Sequence, residues 1–290
     1  MHPAPSVIIF TTFSGLGFGL LFWLGIGAIV PTGLSAFIWF TIAYVCAVGG
    51  LLASTFHLGR PERAIKAFSQ WRTSWLSREG IAAVLTLIIM ATYGAGLVFT
   101  GTRVAFLGWV GAFGAIATVI TTSMIYTQLK TVPRWHHWTT PVLFLALSIG
   151  GGALLAGQIT MAIVLLALTG GLQTYSWMTG SQRFTNSGSD MQTATGLGHI
   201  GKVRAFEPPH TGGNYLMREF IYVVGRKHVK RLQVIAGLLG FIAPVILLVL
   251  PFNHIFMALA VLCHIAGVLC LRWLFFAQAE HIVGLYYGKR

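Results

Sequence analysis

Along the chain, long apolar runs alternate with short polar separators. A membrane-crossing helix needs roughly 20 apolar residues. Eight windows reach that length, at 6–30, 34–56, 79–100, 104–127, 139–157, 159–178, 231–250 and 254–277. Their separators are of two kinds. Pro31–Gly33, Gly101–Arg103, Gly157–Gln158 and Pro251–Asn253 are tight turns with almost no charge, whereas 57–78, 128–138 and 179–230 are longer and polar. With eight crossings the two kinds fall on opposite sides. The pattern predicts an all-α integral membrane protein, a single polytopic domain over 1–290 with eight transmembrane helices. It is compatible with two four-helix bundles, although no internal repeat marks such halves.

Composition agrees with that class. Apolar residues make up 56%, charged residues 9%, and mean hydropathy is +0.77, too little charge to cover a water-soluble chain of this length. The acids are Glu62, Glu79, Asp190, Glu207, Glu219 and Glu280, and none falls inside an apolar window, Glu79 standing at the first position of the third. Thirty-five glycines suit helices that pack closely through small residues in lipid. Gly15, Gly17 and Gly19, and Gly108, Gly111 and Gly114, read as packing notches. Cys46, Cys263 and Cys270 lie in apolar segments with no CxxC pair, so neither an iron–sulfur cluster nor a structural zinc site is readable. MHPAPS offers no basic n-region and the run after it has full span length, so the first span is expected to stay in the mature protein.

A net charge of +13 could suggest nucleic acid, but its placement argues against that and for lipid headgroups. The long-loop side carries five Lys/Arg in 57–78, two in 128–138, eight from Arg183 to Arg231, and Lys289 and Arg290, leaving Arg103 on the short-turn side and Arg272 inside the last span. The positive-inside rule places both termini and every long loop in the cytoplasm of a bacterial inner membrane. In the loop 179–230 the stretch NYLMREFIYVVGRKHVK mixes aromatics with cations, as an interfacial helix at the headgroups would.

Absences narrow the chemistry. Spans without Asp or Glu argue against an ion-coupled transporter. A b-type haem needs two facing imidazoles, and His264 alone lies near mid-membrane, roughly 15 Å into the last span. It reads better as a hydrogen-bonded bundle residue. The cytoplasmic edge is richer. The stretch His57–Glu79, HLGRPERAIKAFSQWRTSWLSRE, places His57 at the end of the second span and Arg78 and Glu79 at the start of the third. Lys130, Arg134, His136 and His137 follow the fourth, and Arg272 returns to the same edge. Ser77 can cap the third helix, with Glu79 in its first turn complementing the dipole. An isoprenoid quinone head, which needs hydrogen-bond donors and a proton carrier at the membrane border, would suit this place. The competing reading is a set of ordinary positive-inside anchors and belt tryptophans on a structural scaffold.

Three segments resemble the DmsC-type membrane anchors of dimethyl-sulfoxide-reductase-like molybdoenzymes. They are STFHLGRPERAIKAF with TSWLSRE between the second and third spans, MIYTQLKTVPRWHHWTTP after the fourth, and RWLFFAQAEHIVGLYYG at the C-terminal end. The resemblance implies a non-catalytic subunit without a metal centre of its own. Such a subunit holds a molybdopterin catalytic subunit and a four-cluster iron–sulfur ferredoxin-like subunit on the membrane and exchanges electrons with ubiquinone or menaquinone. By motif, His57 is the residue associated with quinone, and Arg60, Arg78, Glu79 and Arg134 extend that site by the edge argument. Cytoplasmic loops lean toward the sulfite-dehydrogenase branch, with dimethyl sulfoxide reduction as the alternative.

Overall fold

The computed structural model describes residues 1–57, 60–207, 212–222 and 227–288, with the side chains of His57 and Pro61 left out. No strand occurs among the described residues. The long helices are α1 (Pro5–Ile26), α2 (Gly33–Ala53), α3 (Trp75–Ala95, continued by a π-turn Gly96–Thr100), α4 (Ala105–Thr127), α5 (Thr139–Leu155), α6 (Ile159–Gly180), α7 (Val229–Val249) and α8 (His254–Ala277). Seven are long and apolar enough to cross a membrane; α5, at 17 residues, is apolar but shorter. The apolar window here extends to 157. The helix stops earlier because Gly157 turns into the left-handed region (φ 69°), closing the tight turn into α6.

The helices divide their ends between two faces. On one, which we call the loop face, Met1 N donates to Ala279 O, Trp135 Nε1 to Phe275 O and Arg183 Nη1 to Arg134 O. This joins the start of α1, the end of α8, the α4–α5 connection and the segment after α6. On the opposite turn face, Arg103 Nη2 donates to Ile26 O and Gln158 Nε2 to Ala28 O. Arg103, the lone cation of the short turns, thus satisfies a carbonyl orphaned at the end of α1. Helix α5 runs from the loop face to the turn face beside α1.

In lipid, helices gain no hydrophobic advantage by meeting one another, so close van der Waals packing decides which pairs form. Among the seven long helices α1 is the most enclosed: 72% of its apolar window is buried against protein, compared with 22% for α6. Glycine makes this possible. Gly17 lies on the backbone of Ala43 and Ala47 in α2, Gly25 on that of Gly108 in α4, and Gly19 on Ser148 and Gly152 in α5. Side chains then tie the pairs together: Ser148 Oγ donates to Gly15 O at 2.5 Å, Trp23 Nε1 to Ile149 O at 2.9 Å and Tyr93 Oη to Leu24 O at 3.2 Å. Helices α1–α4 and α5–α8 therefore meet across the α1–α5 contact. The notch reading holds for Gly17, Gly19, Gly108, Gly111 and Gly114. At Gly15 a Cβ would meet nothing, and its carbonyl is the part in use.

The loop 181–228 carries three five-residue helices, Gln182–Asn186, Met191–Thr195 and Tyr215–Glu219. The expected interfacial helix falls partly on 223–226, outside the described residues. Its described portion includes Tyr215–Glu219, capped by Asn214 Oδ1 accepting from Met217 N at 2.9 Å.

The α1–α5 contact yields a direct prediction. Gly152→Ala places a methyl group on the Gly19 backbone and should cost about 3 kcal/mol despite its better helix propensity, lowering the thermal midpoint in detergent. Gly49→Ala, where an added Cβ meets nothing, should leave the midpoint unchanged or raise it. Equal midpoints for the two variants would contradict this packing.

Candidate functional site

At the loop face α2 passes into a 3-10 turn, Ser54–His57, and a second 3-10 helix, Pro61–Phe68, precedes α3. His57 closes the first turn, but its side chain lies outside the described residues. Arg60 is exposed on the loop, its carbonyl accepting from Arg63 N at 3.1 Å. Arg78 is a clip: Nε donates to Trp71 O at 2.9 Å, Nη2 to Arg72 O at 2.6 Å, and the guanidinium lies 4.3 Å from the Trp75 ring centroid. It folds the loop back onto α3, where carbonyls orphaned by the turn need donors.

The capping expectation at Ser77 is corrected here. Helix α3 begins at Trp75, with Ser74 at its N-cap making no side-chain cap bond, and no acid lies in its first turn. Ser77 is inside the helix, and its hydroxyl reaches back to Ala67 O to hold the loop. Two residues later Glu79 points into the bundle, 3% exposed, accepting from Thr122 Oγ1 of α4 at 2.5 Å. A carboxylate at this depth needs a donor to offset lost hydration. Thr122 in turn bonds Thr118 O, and Thr118 Oγ1 lies 3.4 Å from Thr86 Oγ1, so a polar seam runs down the α3–α4 contact.

One turn beyond Thr122, Tyr126 sits between two charges, feeling both Glu79 and Arg272. Its ring packs edge-on against Trp135, Phe275 and Phe276 at 5.3–5.6 Å, and Trp135 stacks on Phe275 at 5.0 Å. On the far side of this cluster, Arg272 of α8 is 4% exposed, 3.7 Å from the Phe144 ring centroid. It lines a cavity of about 50 Å³ with Arg134, Gln173, Ser176, Trp177 and Gln278. Arg134 also packs its guanidinium on Gly180, and its carbonyl accepts from Arg183 Nη1 at 3.1 Å.

Of the five predicted site residues, the four whose side chains are described do not converge on one pocket. Glu79 is buried between α3 and α4, Arg78 is occupied by its own loop, Arg60 faces outward, and Arg134 lies across the aromatic cluster from Glu79. Sequence reading missed Thr122, Tyr126 and Arg183. A signal existed for the first two: Thr118, Thr122 and Tyr126 recur every four residues and so share one face of α4. Outside the spans, burial lowers the His137 and His281 pKa values, helped by Arg183 in the first case and by the Met1 amino group in the second. Each ring accepts a backbone N–H, from Thr139 at 3.3 Å and Val283 at 3.0 Å, a role only the neutral imidazole can fill.

The profile of the family described as DMSO reductase anchor subunit (DmsC) matches residues 1–287. The chain belongs to the DmsC family of anchor subunits. It is also 32% identical to a sulfite dehydrogenase subunit from Allochromatium vinosum, over 99% of each chain. No solved structure matches it.

Within this family member, the deep histidine has a structural partner. His264 of α8 is 1% exposed, with Nδ1 2.8 Å from Gly240 O in α7. Gly240 lies four residues before Pro244, which has no N–H to give and whose ring pushes on that carbonyl. Helix α7 loosens into a π-turn at Leu238–Ile242, and His264 supplies the missing donor, so its proton sits on Nδ1. Nε2 faces Gly151, where even an added Cβ would stand 2.8 Å away.

This pairing makes a rescue experiment possible. His264→Leu strands the Gly240 carbonyl and should cost roughly 1–3 kcal/mol. Adding Pro244→Ala returns a helical N–H and should recover most of that loss in a detergent thermal melt. No recovery in the double variant would count against the assignment.

Proposed function

We propose that this chain is the quinone-reactive membrane anchor of a sulfite-oxidising complex, crossing the bacterial inner membrane eight times with its loop face in the cytoplasm. Seven long helices are supplemented by α5, whose 17 residues span about 26 Å and run between the two faces beside α1. Eight crossings put all long loops together, and the distribution of Lys and Arg assigns that face to the cytoplasm. A molybdopterin subunit and a four-cluster iron–sulfur subunit would dock there. The full-length likeness to a sulfite dehydrogenase subunit supports sulfite as electron donor. The family description favours the reverse use, in which quinol is oxidised and an acceptor such as dimethyl sulfoxide is reduced.

The observation that carries the quinone reading is the buried carboxyl of Glu79, hydrogen-bonded to Thr122 directly beneath the loop that starts at His57. Sulfite and water yield sulfate, two electrons and two protons; a quinone takes up two electrons and two protons to become the quinol. The electrons arrive through the iron–sulfur partner. The protons must reach the quinone oxygens at the membrane border, where Glu79 and His57 can each carry one. Arg78 does not face the ligand in this scheme; with Ser77 it holds the loop in place over Glu79.

His57→Ala and Glu79→Gln, each tested in the assembled complex, should leave sulfite-to-dye turnover intact and lower sulfite-to-quinone turnover at least tenfold. Glutamine keeps the acceptor for Thr122, so the fold should persist while proton transfer fails. Normal quinone turnover in both variants would remove the quinone assignment and leave a structural scaffold.

A further inference from the structure

The cavity around Arg272 has a chemistry that quinone exchange at the His57 edge does not use. Arg272 is almost wholly buried, and its Nε has no hydrogen-bond partner. No carboxylate among the described residues forms an ion pair with it, and its guanidinium lies over the Phe144 ring. An unpaired guanidinium in a low-dielectric interior is costly unless an anion meets it. The cavity lining provides a second guanidinium, Arg134, together with Gln173, Ser176 and Gln278, and contains no acid. Arg183 steadies this wall through Arg134 O and Thr179 Oγ1, the latter at 2.9 Å.

Trp177 borders this cavity and also a second one of about 370 Å³ between α6 and α7. That second space is apolar and lined by small residues, Gly170, Gly171 and Gly237, with Phe241 and Val245. A cationic pocket and an apolar groove thus lie on the two sides of Trp177. Only a ligand with a charged head and a long apolar tail fills both.

Charge decides the head: two guanidiniums with no acid in the lining call for an anion, and a quinone head is neutral. Arginine forks also match phosphate oxygens in pairs.

We infer that this pocket binds an anionic phospholipid, with the phosphodiester between Arg134 and Arg272 and one acyl chain along Gly170, Gly171 and Gly237. The lipid would neutralise Arg272 and fill the groove beside Gly171 and Gly237, where an added Cβ meets nothing.

The test is native mass spectrometry and thermal melting of the full-length, delipidated chain, supplied separately with phosphatidylglycerol, phosphatidylcholine and inorganic phosphate. Phosphatidylglycerol should be retained and raise the thermal midpoint by several degrees, while the other two leave it unchanged. Arg272→Gln should reduce that retention at least tenfold. Gly171→Leu gives an independent reading, because a Cβ at Gly171 meets nothing within 4 Å, so the variant fills the groove without disturbing the fold. It too should lose the lipid. Equal retention of the two lipids would overturn the inference, as would undiminished retention in Gly171→Leu. Stabilisation by inorganic phosphate alone would replace the lipid with a free anion, and an isoprenoid quinone co-purifying in the pocket would replace it with the electron carrier.

Discussion

Everything in this bundle is arranged around the backbone of α1. In lipid there is no water to drive helices together, so a helix that buries most of its surface must do so by close approach. Gly17, Gly19 and Gly25 let α2, α5 and α4 reach the α1 main chain on three sides. Hydrogen bonds from Ser148, Trp23 and Tyr93 then fix the register. Through α5 this contact reaches the second half of the chain, and through α4 it sets the position of Thr122. The polar residues at the loop face thus owe their placement to apolar contacts nearer the middle of the bundle.

The polar groups embedded in the helices serve different ends. His264 and Pro244 form a closed local pair, one supplying the donor that the other removed. Glu79 is different, because among the described residues it bonds a hydroxyl and forms no ion pair. Arg272 is its mirror across Tyr126, a buried cation that no carboxylate among the described residues meets. The two charges sit on opposite sides of one aromatic cluster near the same face, where a docked redox partner would lie. We connect Glu79 with proton delivery to quinone and Arg272 with an anionic lipid head.

Much of the architecture was legible because lipid imposes a length and an apolar composition on every crossing helix. The glycine notches at Gly17, Gly19 and Gly108 could be named from spacing alone, though their partners could not. The start of α3 was misplaced by four residues, since Trp75–Arg78 is too polar to read as part of a span. Arg78 and Ser77 satisfy loop carbonyls instead of facing solvent. That shift turned Glu79 from a surface residue complementing a helix dipole into a buried one. Its partner Thr122 depends on the mutual register of α3 and α4, which no local pattern encodes. Arg134 and Arg272 were read as cations of one edge, but that they share a cavity follows from α5, α6 and α8 meeting there. The role of His264 was half legible: its bland reading was available, whereas its link to Pro244 required the alignment of α7 with α8.

The shared loop face exists only if α5 crosses the membrane, and the docking proposed above puts that face in the cytoplasm. Single cysteines introduced into a chain with Cys46, Cys263 and Cys270 replaced, then treated with a membrane-impermeant maleimide, test this directly. In intact spheroplasts, cysteines at Thr102 and Gln158 on the turn face should label, whereas those at Thr131 and Ser187 should label only after permeabilisation. If Thr131 and Gln158 label from the same side, α5 does not cross and the shared loop face is lost; if the whole pattern inverts, the cytoplasmic docking of the redox partners is contradicted.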